Sequence, residues 1–174
     1  MTRTRTFERG FTLIETVFAL AIMAGGLLSL AAVFSYGMLH LNTGTSLLTA
    51  KEKATEAIES VFMSRDTLVI NWDQVRNQAG GGIFLDGPRD VREPGTDGLV
   101  NTNDDGAIES VVLPGMDGTV GTADDEVETL DGFTREIVIT DLNASLREIR
   151  VTITYPFGEG SRKFVLTTYI SAFA

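Results

Sequence analysis

The sequence lacks the residues on which most catalytic and metal chemistry depends. Among its 174 residues there is no cysteine and one histidine, His40. Disulfides, cysteine-ligated zinc or iron–sulfur sites and thiol nucleophiles are therefore excluded. A histidine-rich zinc site cannot be built from one imidazole, and a serine triad would have to recruit His40 itself. We expect a protein that is not an enzyme, with His40 as a packing or boundary residue.

Positive charge is also scarce over much of the chain. The net charge is −10, with 43% apolar and 22% charged residues, as in one folded domain with an appendage. Residues 86–131 hold thirteen acids against only Arg89 and Arg92, a net charge of −11. Such a field repels phosphates and attracts cations. The acidic part of the chain is not expected to bind nucleic acid.

One long hydrophobic run stands near the N-terminus. Residues 11–41 contain Glu15 as their only acid and His40 as the only other ionisable side chain. About 20 apolar residues suffice to cross a bilayer as a helix. Arg3, Arg5 and Arg9 precede the run, so the positive-inside tendency places the remainder of the chain outside the cytoplasm. A cleaved secretory signal is the competing interpretation, but the run is about twice the usual length of a signal core.

Glu15 does not suit a plain membrane anchor, because a carboxylate in hydrocarbon costs a few kcal/mol. Residues 9–15 read RGFTLIE at the start of the apolar run. This motif closely resembles the processing site of type IV prepilins and the related pseudopilins. The continuation ALAIMAGGLL, residues 19–28, is more similar to minor pilins than to the principal filament subunit. The resemblance covers only about the first 35 residues.

The resemblance implies a role for each residue of the motif. A prepilin peptidase would remove residues 1–10 by cutting between Gly10 and Phe11, and the new amino group of Phe11 would be methylated. Residues 11–41 would form the transmembrane and filament-core helix. Glu15 would pair with the N-terminal ammonium of a neighbouring pilin subunit, with inner-membrane assembly machinery as a further partner. The chain departs from many principal pilins in having no cysteine to close a C-terminal disulfide loop.

The apolar pattern becomes periodic after the hydrophobic run. In residues 42–65 the apolar positions recur at intervals of three and four: Leu47, Ala50, Ala54, Ala57, Ile58 and Val61. This spacing predicts an amphipathic helix that packs one side onto a globular head. The charged residues between them, including Lys53, are expected on its other faces.

The C-terminal part is expected to be a sheet. Residues 66–131 are interpreted as a linker followed by acidic loops rich in glycine and aspartate. In residues 132–174, three runs of alternating polarity (132–141, 146–155 and 162–172) are joined by short turns, which predicts antiparallel strands. The expected fold class is α+β, with a long N-terminal hydrophobic helix packed on a small antiparallel sheet.

A short acidic segment occurs twice. Residues 94–105 (PGTDGLVNTNDD) and 114–125 (PGMDGTVGTADD) are identical at eight of twelve positions. Carboxylates crowded in glycine-rich turns repel one another unless water or a cation intervenes, and calcium accepts many oxygen ligands in flexible geometry. The spacing does not match an EF-hand. Calcium is therefore predicted, with these ligands: Asp97, Asp104, Asp105, Asp117, Asp124 and Asp125. A solvated loop of glycine and Asx turns is the alternative.

Three functions remain open at this point. The leading hypothesis is a structural subunit of a type IV pilus-like filament, most similar to a minor pilin. One alternative is a pseudopilin of a type II secretion system, which the sequence hardly separates from the first. The other is a membrane-tethered, calcium-binding adhesion module, which would not need Glu15.

Overall fold

The computed structural model describes residues 10–173, without the side chains of residues 38–43. The leader segment up to Arg9 and the side chain of His40 lie outside the described residues. The chain divides into two compact units, Met1–Asn42 and Thr43–Ala174. In the following, the second unit is called the head.

Helix α1 extends from Leu13 to Asp66 and contributes to both units. In the first unit, its segment Leu13–Gly37 has a mean hydropathy of 2.4, and none of it is buried. Its 25 residues are long and apolar enough to cross a membrane, as the sequence predicted. The apolar side chains of this segment lie exposed all round the helix, which is the pattern of a helix surrounded by lipid or by other helices.

The head is built on a four-stranded antiparallel sheet with the strand order β1-β4-β5-β6. Its strands are β1 (Arg89–Asp90), β4 (Thr134–Asn143), β5 (Leu146–Phe157) and β6 (Gly160–Ser171). A separate two-stranded sheet pairs β2 (Ser110–Leu113) with β3 (Glu126–Thr129). The predicted strands of the C-terminal part correspond to β4, β5 and β6.

Alternation of side chains fixes the register of the sheet. Along β5, every second residue from Arg147 to Tyr155 is buried, and the intervening residues are less buried. Val151 lies opposite Ile137 on β4 and opposite Leu166 on β6, so apolar positions of all three strands share one face. A shift by one residue would turn this whole set to solvent, which specifies the pairing strongly.

The C-terminal part of α1 covers this face. Ala50, Ala54, Ala57 and Val61 are completely buried, and they belong to the same core cluster as the inner residues of β4 and β5. Complete burial of these small side chains in a packed core leaves little room for larger groups at the same positions. The fold class is therefore α+β, as predicted, with the core between one helix and one antiparallel sheet.

The expectation for Lys53 was wrong. Its side chain is buried, and its ammonium group forms ion pairs with Glu56, at 2.7 Å, and with Glu109. Burial by itself lowers the pKa of Lys53, but the hydrogen bonds from its ammonium group to both carboxylates raise it above the ordinary value. The local pattern could not indicate this, because Glu109 is far away in the sequence.

Arg147 is a second cation inside the head, and it is fully buried on β5. Its guanidinium donates hydrogen bonds to Asp141 and to the backbone carbonyls of Trp72 and Val75. Its central carbon also lies 4.0 Å from the ring centre of Trp72. Arg147 thereby joins the sheet to the 3-10 helix Trp72–Gln74, which follows α1.

Residues 66–131 contribute more regular structure than a linker with loops. They contain two 3-10 helices, Trp72–Gln74 and Gln78–Gly80, and the strands β1, β2 and β3. Strand β1 pairs with β4, through Arg89 opposite Arg135, so this segment supplies one edge of the main sheet. Strands of two to four residues are too short to carry a periodic signal, so the sequence did not indicate them.

Enlarging Ala54 tests the close packing of α1 on the sheet. We expect Ala54→Leu to lower the free energy of unfolding by about 1–3 kcal/mol, because extra carbon atoms must displace buried neighbours. The matched control is Thr55→Leu, at an exposed position of the same helix, with an expected change within about 0.5 kcal/mol. The free energy of unfolding of both variants is measured by urea unfolding of the full chain in detergent, with the fluorescence of Trp72 as the signal. Equal effects of the two variants would contradict this packing.

Candidate functional site

The predicted processing bond lies in exposed, non-helical chain. Gly10, Phe11 and Thr12 precede α1, which begins at Leu13, and all three are exposed. Apart from its chain neighbours, no atom of the described residues lies within 4 Å of the position that a Cβ of Gly10 would occupy. A protease that binds an extended backbone can therefore reach the bond between Gly10 and Phe11 without unwinding α1.

Glu15 lies in the first turn of α1. Its backbone N–H donates to the Thr12 carbonyl at 3.1 Å and lies 3.4 Å from the Thr12 hydroxyl, so Thr12 caps the helix. A carboxylate at this end also interacts favourably with the helix dipole. Among the described residues, no cation forms an ion pair with Glu15. An exposed carboxylate thus stands at the beginning of an apolar helix, where a second chain can approach it.

The duplicated acidic segments form two loops of the same construction, here called loop 1 (residues 94–105) and loop 2 (residues 114–125). In loop 1, Asp97 Oδ1 accepts from the backbone N–H of Leu99 at 2.8 Å. In loop 2, Asp117 Oδ1 accepts from the N–H of Thr119 at the same distance. These are Asx turns, in which the side chain bonds its own backbone two residues on.

The second half of each loop repeats as well. Asp105 Oδ2 accepts from the N–H of Asn101 at 2.8 Å, and Asp125 Oδ2 accepts from the N–H of Gly121 at 2.6 Å. Asn101 and Gly121 both have positive φ, 64° and 98°. The sequence repeat is therefore a repeat of backbone conformation.

A glycine at the second position is required in both loops. A Cβ at Gly95 would lie 2.3 Å from the carboxylate carbon of Asp104, and one at Gly115 would lie 2.2 Å from the carbonyl oxygen of Asp124. Each loop closes by bringing its aspartate against this glycine. At Gly115 the obstacle is backbone, so a larger residue would force loop 2 open, whereas at Gly95 it would displace the carboxylate of Asp104.

The two loops differ in what covers them. In loop 1, Leu99 and Val100 are completely buried, and Asn101 exchanges hydrogen bonds with the backbone of Leu85. In loop 2, Val120 is 60% exposed, and Met116 is completely exposed. Loop 1 is therefore part of the head's core, whereas loop 2 is the exposed end of the β2–β3 hairpin.

Hydrogen-bond donors already surround the aspartates that were predicted to bind calcium. Thr96 and Thr102 donate to Asp104, and Thr102 also donates to Asp105. Loop 2 shows the same arrangement around Asp124 and Asp125. N–H and O–H groups that point at a carboxylate stabilise its charge without a cation. In the described residues, no three Asp, Glu or His side chains are placed to share a metal ion, and calcium binding stays a prediction.

The hydrogen bonds shift the acidity of one aspartate in each loop. The bond from the Thr102 hydroxyl is the main cause that lowers the pKa of Asp104, with a smaller contribution from Thr96. In loop 2, the Thr122 hydroxyl has the same effect and lowers the pKa of Asp124. The sequence analysis assigned no role to these threonines, although the threonine two residues before each aspartate pair is retained in the repeat.

Comparisons with protein-family models, with curated proteins and with solved structures gave no match. The candidate functional features are the exposed peptide between Gly10 and Phe11, Glu15 on an exposed apolar helix, and the acidic hairpin.

Removing the Thr122 hydroxyl tests how loop 2 is held. We expect Thr122→Val to raise the pKa of Asp124 towards its ordinary value, because the main hydrogen bond to the carboxylate is lost. Because the pKa of Asp124 is lower in the folded chain than in the unfolded chain, its hydrogen bonds contribute fully to stability when the pH is above the unfolded-state pKa. This contribution is lost as the pH falls through the folded-state pKa. An NMR titration of the Asp124 carboxyl carbon measures the shift. Thr119→Val is the control, and an equal shift there would contradict the assignment.

Proposed function

We propose that this chain is a structural subunit of a type IV pilus-like filament, in the role of a minor pilin. The observation that carries the proposal is Glu15, a carboxylate in the first turn of an apolar helix whose side chains are exposed. A lone membrane anchor has no use for that charge, and its presence in hydrocarbon is unfavourable. A helix that packs against copies of itself or of related subunits supplies both an apolar environment and a partner for the carboxylate.

Processing would create the partner charge. In the proposed sequence of events, a prepilin peptidase hydrolyses the peptide bond between Gly10 and Phe11, which releases residues 1–10 and leaves an amino group on Phe11. Methylation of this nitrogen preserves its positive charge. The exposure of Gly10 and the start of α1 only at Leu13 support cleavage at this bond.

Assembly would then pair Glu15 of one subunit with the Phe11 ammonium of its neighbour. Two opposite charges in apolar surroundings neutralise each other, and removing one member of a buried pair typically costs about 3–5 kcal/mol. The completely buried alanine face of α1 lies in the head, whereas its segment Leu13–Gly37 remains available to other subunits.

The proposed location follows from this route. Before assembly, the chain would lie in the inner membrane through Leu13–Gly37, with the head outside the cytoplasm. Inner-membrane assembly machinery would then transfer it into a periplasmic or extracellular filament. A pseudopilin of a type II secretion system would share these steps.

Replacing Glu15 tests the assembly role. We expect Glu15→Ala to lower the amount of the chain in sheared surface filaments by more than about tenfold, because the neighbouring ammonium loses its partner. The chain should still be processed and remain in the membrane fraction. Glu52→Ala removes an exposed acid from the head and should leave incorporation unchanged. Normal incorporation of the Glu15 variant would contradict the filament role and favour a tethered binding module.

Replacing Gly10 tests the processing step. Mass spectrometry of the native chain from its own cells should find Phe11 as the first residue, with a methylated amino group. Gly10→Val should leave the leader attached, because a branched side chain blocks the close approach of a peptidase to the backbone. Gly26→Ala, at a position without neighbours within 4 Å, should be processed normally. A native chain that retains Met1 would overturn the proposal.

A further inference from the structure

Strand β6 leaves one side of the main sheet open. It is twelve residues long and stands at the end of the strand order, where β5 is its neighbour. Within the described residues, its backbone forms no ladder with any other strand. The N–H and C=O groups of such an edge are a template for an added strand, and natural proteins usually keep exposed edges short or covered.

This edge is basic and partly apolar. Residues 160–171 contain Arg162 and Lys163 and no acid. In the part of the chain that the structure describes, neither side chain forms a salt bridge, and Arg162 lies over the ring of Phe157 at 3.5 Å. Val165 and Tyr169 are 51% and 57% exposed.

The β2–β3 hairpin has the opposite character. Residues 110–129 contain five acids and neither lysine nor arginine. All four residues of β3 are exposed, and Val127 on this strand is 70% exposed. Among the described strands β3 pairs only with β2, so its outer edge is also open.

We propose that β3 of one copy of this chain adds to the outer edge of β6 in a second copy. Charge complementarity identifies the strand that is added to β6. The edge of β6 is basic and the β2–β3 hairpin is acidic, so a second copy of the same chain supplies the complementary strand. In an antiparallel register that places Glu126 opposite Lys163, Val127 lies opposite Arg162. Pairing two β6 edges would instead leave the cations of both strands without acidic partners and the hairpin uncovered.

Each copy offers one hairpin and one edge. The contact is therefore either reciprocal within a two-fold dimer or continues from copy to copy. Backbone hydrogen bonds would supply much of its strength, as in other cases of strand addition. It requires two neighbouring copies and does not depend on Glu15.

The absence of cysteine makes the contact directly testable. One full-length chain carries Val127→Cys, and a second, with a different tag, carries Arg162→Cys. Directly opposite residues on antiparallel strands lie within disulfide range. After co-expression and oxidation in membranes, we expect a mixed disulfide dimer at least about tenfold more abundant than the dimer of either chain alone. Dominance of the Arg162→Cys dimer would establish edge-to-edge pairing instead, and absence of the mixed dimer would equally overturn the proposal.

Charge reversal provides the second measurement. Glu126→Lys in the Val127→Cys chain should lower the mixed dimer by about tenfold, and Lys163→Glu in the other chain should restore it. The control is Glu52→Lys in the Val127→Cys chain, which makes the same change of net charge on α1 and should have no effect. Equal loss with both reversals, or no rescue by Lys163→Glu, would overturn the pairing. Because the assay uses membranes, its outcome does not require filaments and remains distinct from that of the Glu15 variant.

Discussion

Burial of one apolar core, to which the alanine face of α1 and the inner face of the sheet both contribute, is the constraint from which the head is built. Ala50, Ala54 and Ala57 of α1 are completely buried in this core, and so are Ile149, Val151 and Ile153 of the central strand β5. A single helix cannot cover the whole face of the sheet. The segment after α1 completes the core with Phe84, Val91, Leu99 and Val100, which explains why a stretch rich in glycine and acid folds as part of the head.

The same core contains three cations, and the structure satisfies them to different degrees. Lys53 has two carboxylate partners, and Arg147 has Asp141, two carbonyls and the ring of Trp72. Among the described residues, Arg135 bonds only the carbonyl of Arg92, and burial lowers its pKa. Removing the partner of a buried charge is far more costly than removing an exposed pair. Lys53 connects α1 to Glu109, Arg147 connects β5 to the segment after α1, and Arg135 connects β4 to Arg92. These bonds depend on the correct assembly of distant parts of the chain.

Duplication of one loop produced two elements with different positions in the molecule. Loops 1 and 2 share their turn hydrogen bonds and the glycine under the aspartate, yet only loop 1 enters the core. The positions at which the two loops have different residues explain why only loop 1 is buried. Leu99 and Asn101 provide the apolar contact and the hydrogen bonds with Leu85, whereas loop 2 has Thr119 and Gly121 at the equivalent places. Loop 2 therefore has the same conformation without the docking residues, which leaves an acidic hairpin exposed.

Local periodicity determined the parts of this protein that could be predicted from the sequence. The apolar run, the spacing of Ala50, Ala54 and Ala57, and the alternation along β4, β5 and β6 identified α1, the main strands and the α+β class, because these signals repeat within a few residues. The RGFTLIE motif supplies the hypothesis that the chain is processed between Gly10 and Phe11 and assembles through Glu15, and this stays a prediction. Only the tertiary structure placed Lys53 beside Glu109 and paired β1 with β4. It also showed that the aspartates of both loops accept hydrogen bonds from threonine hydroxyls and backbone amides. Those outcomes depend on which distant groups meet, and pairing across long sequence separations leaves no periodic trace in the chain.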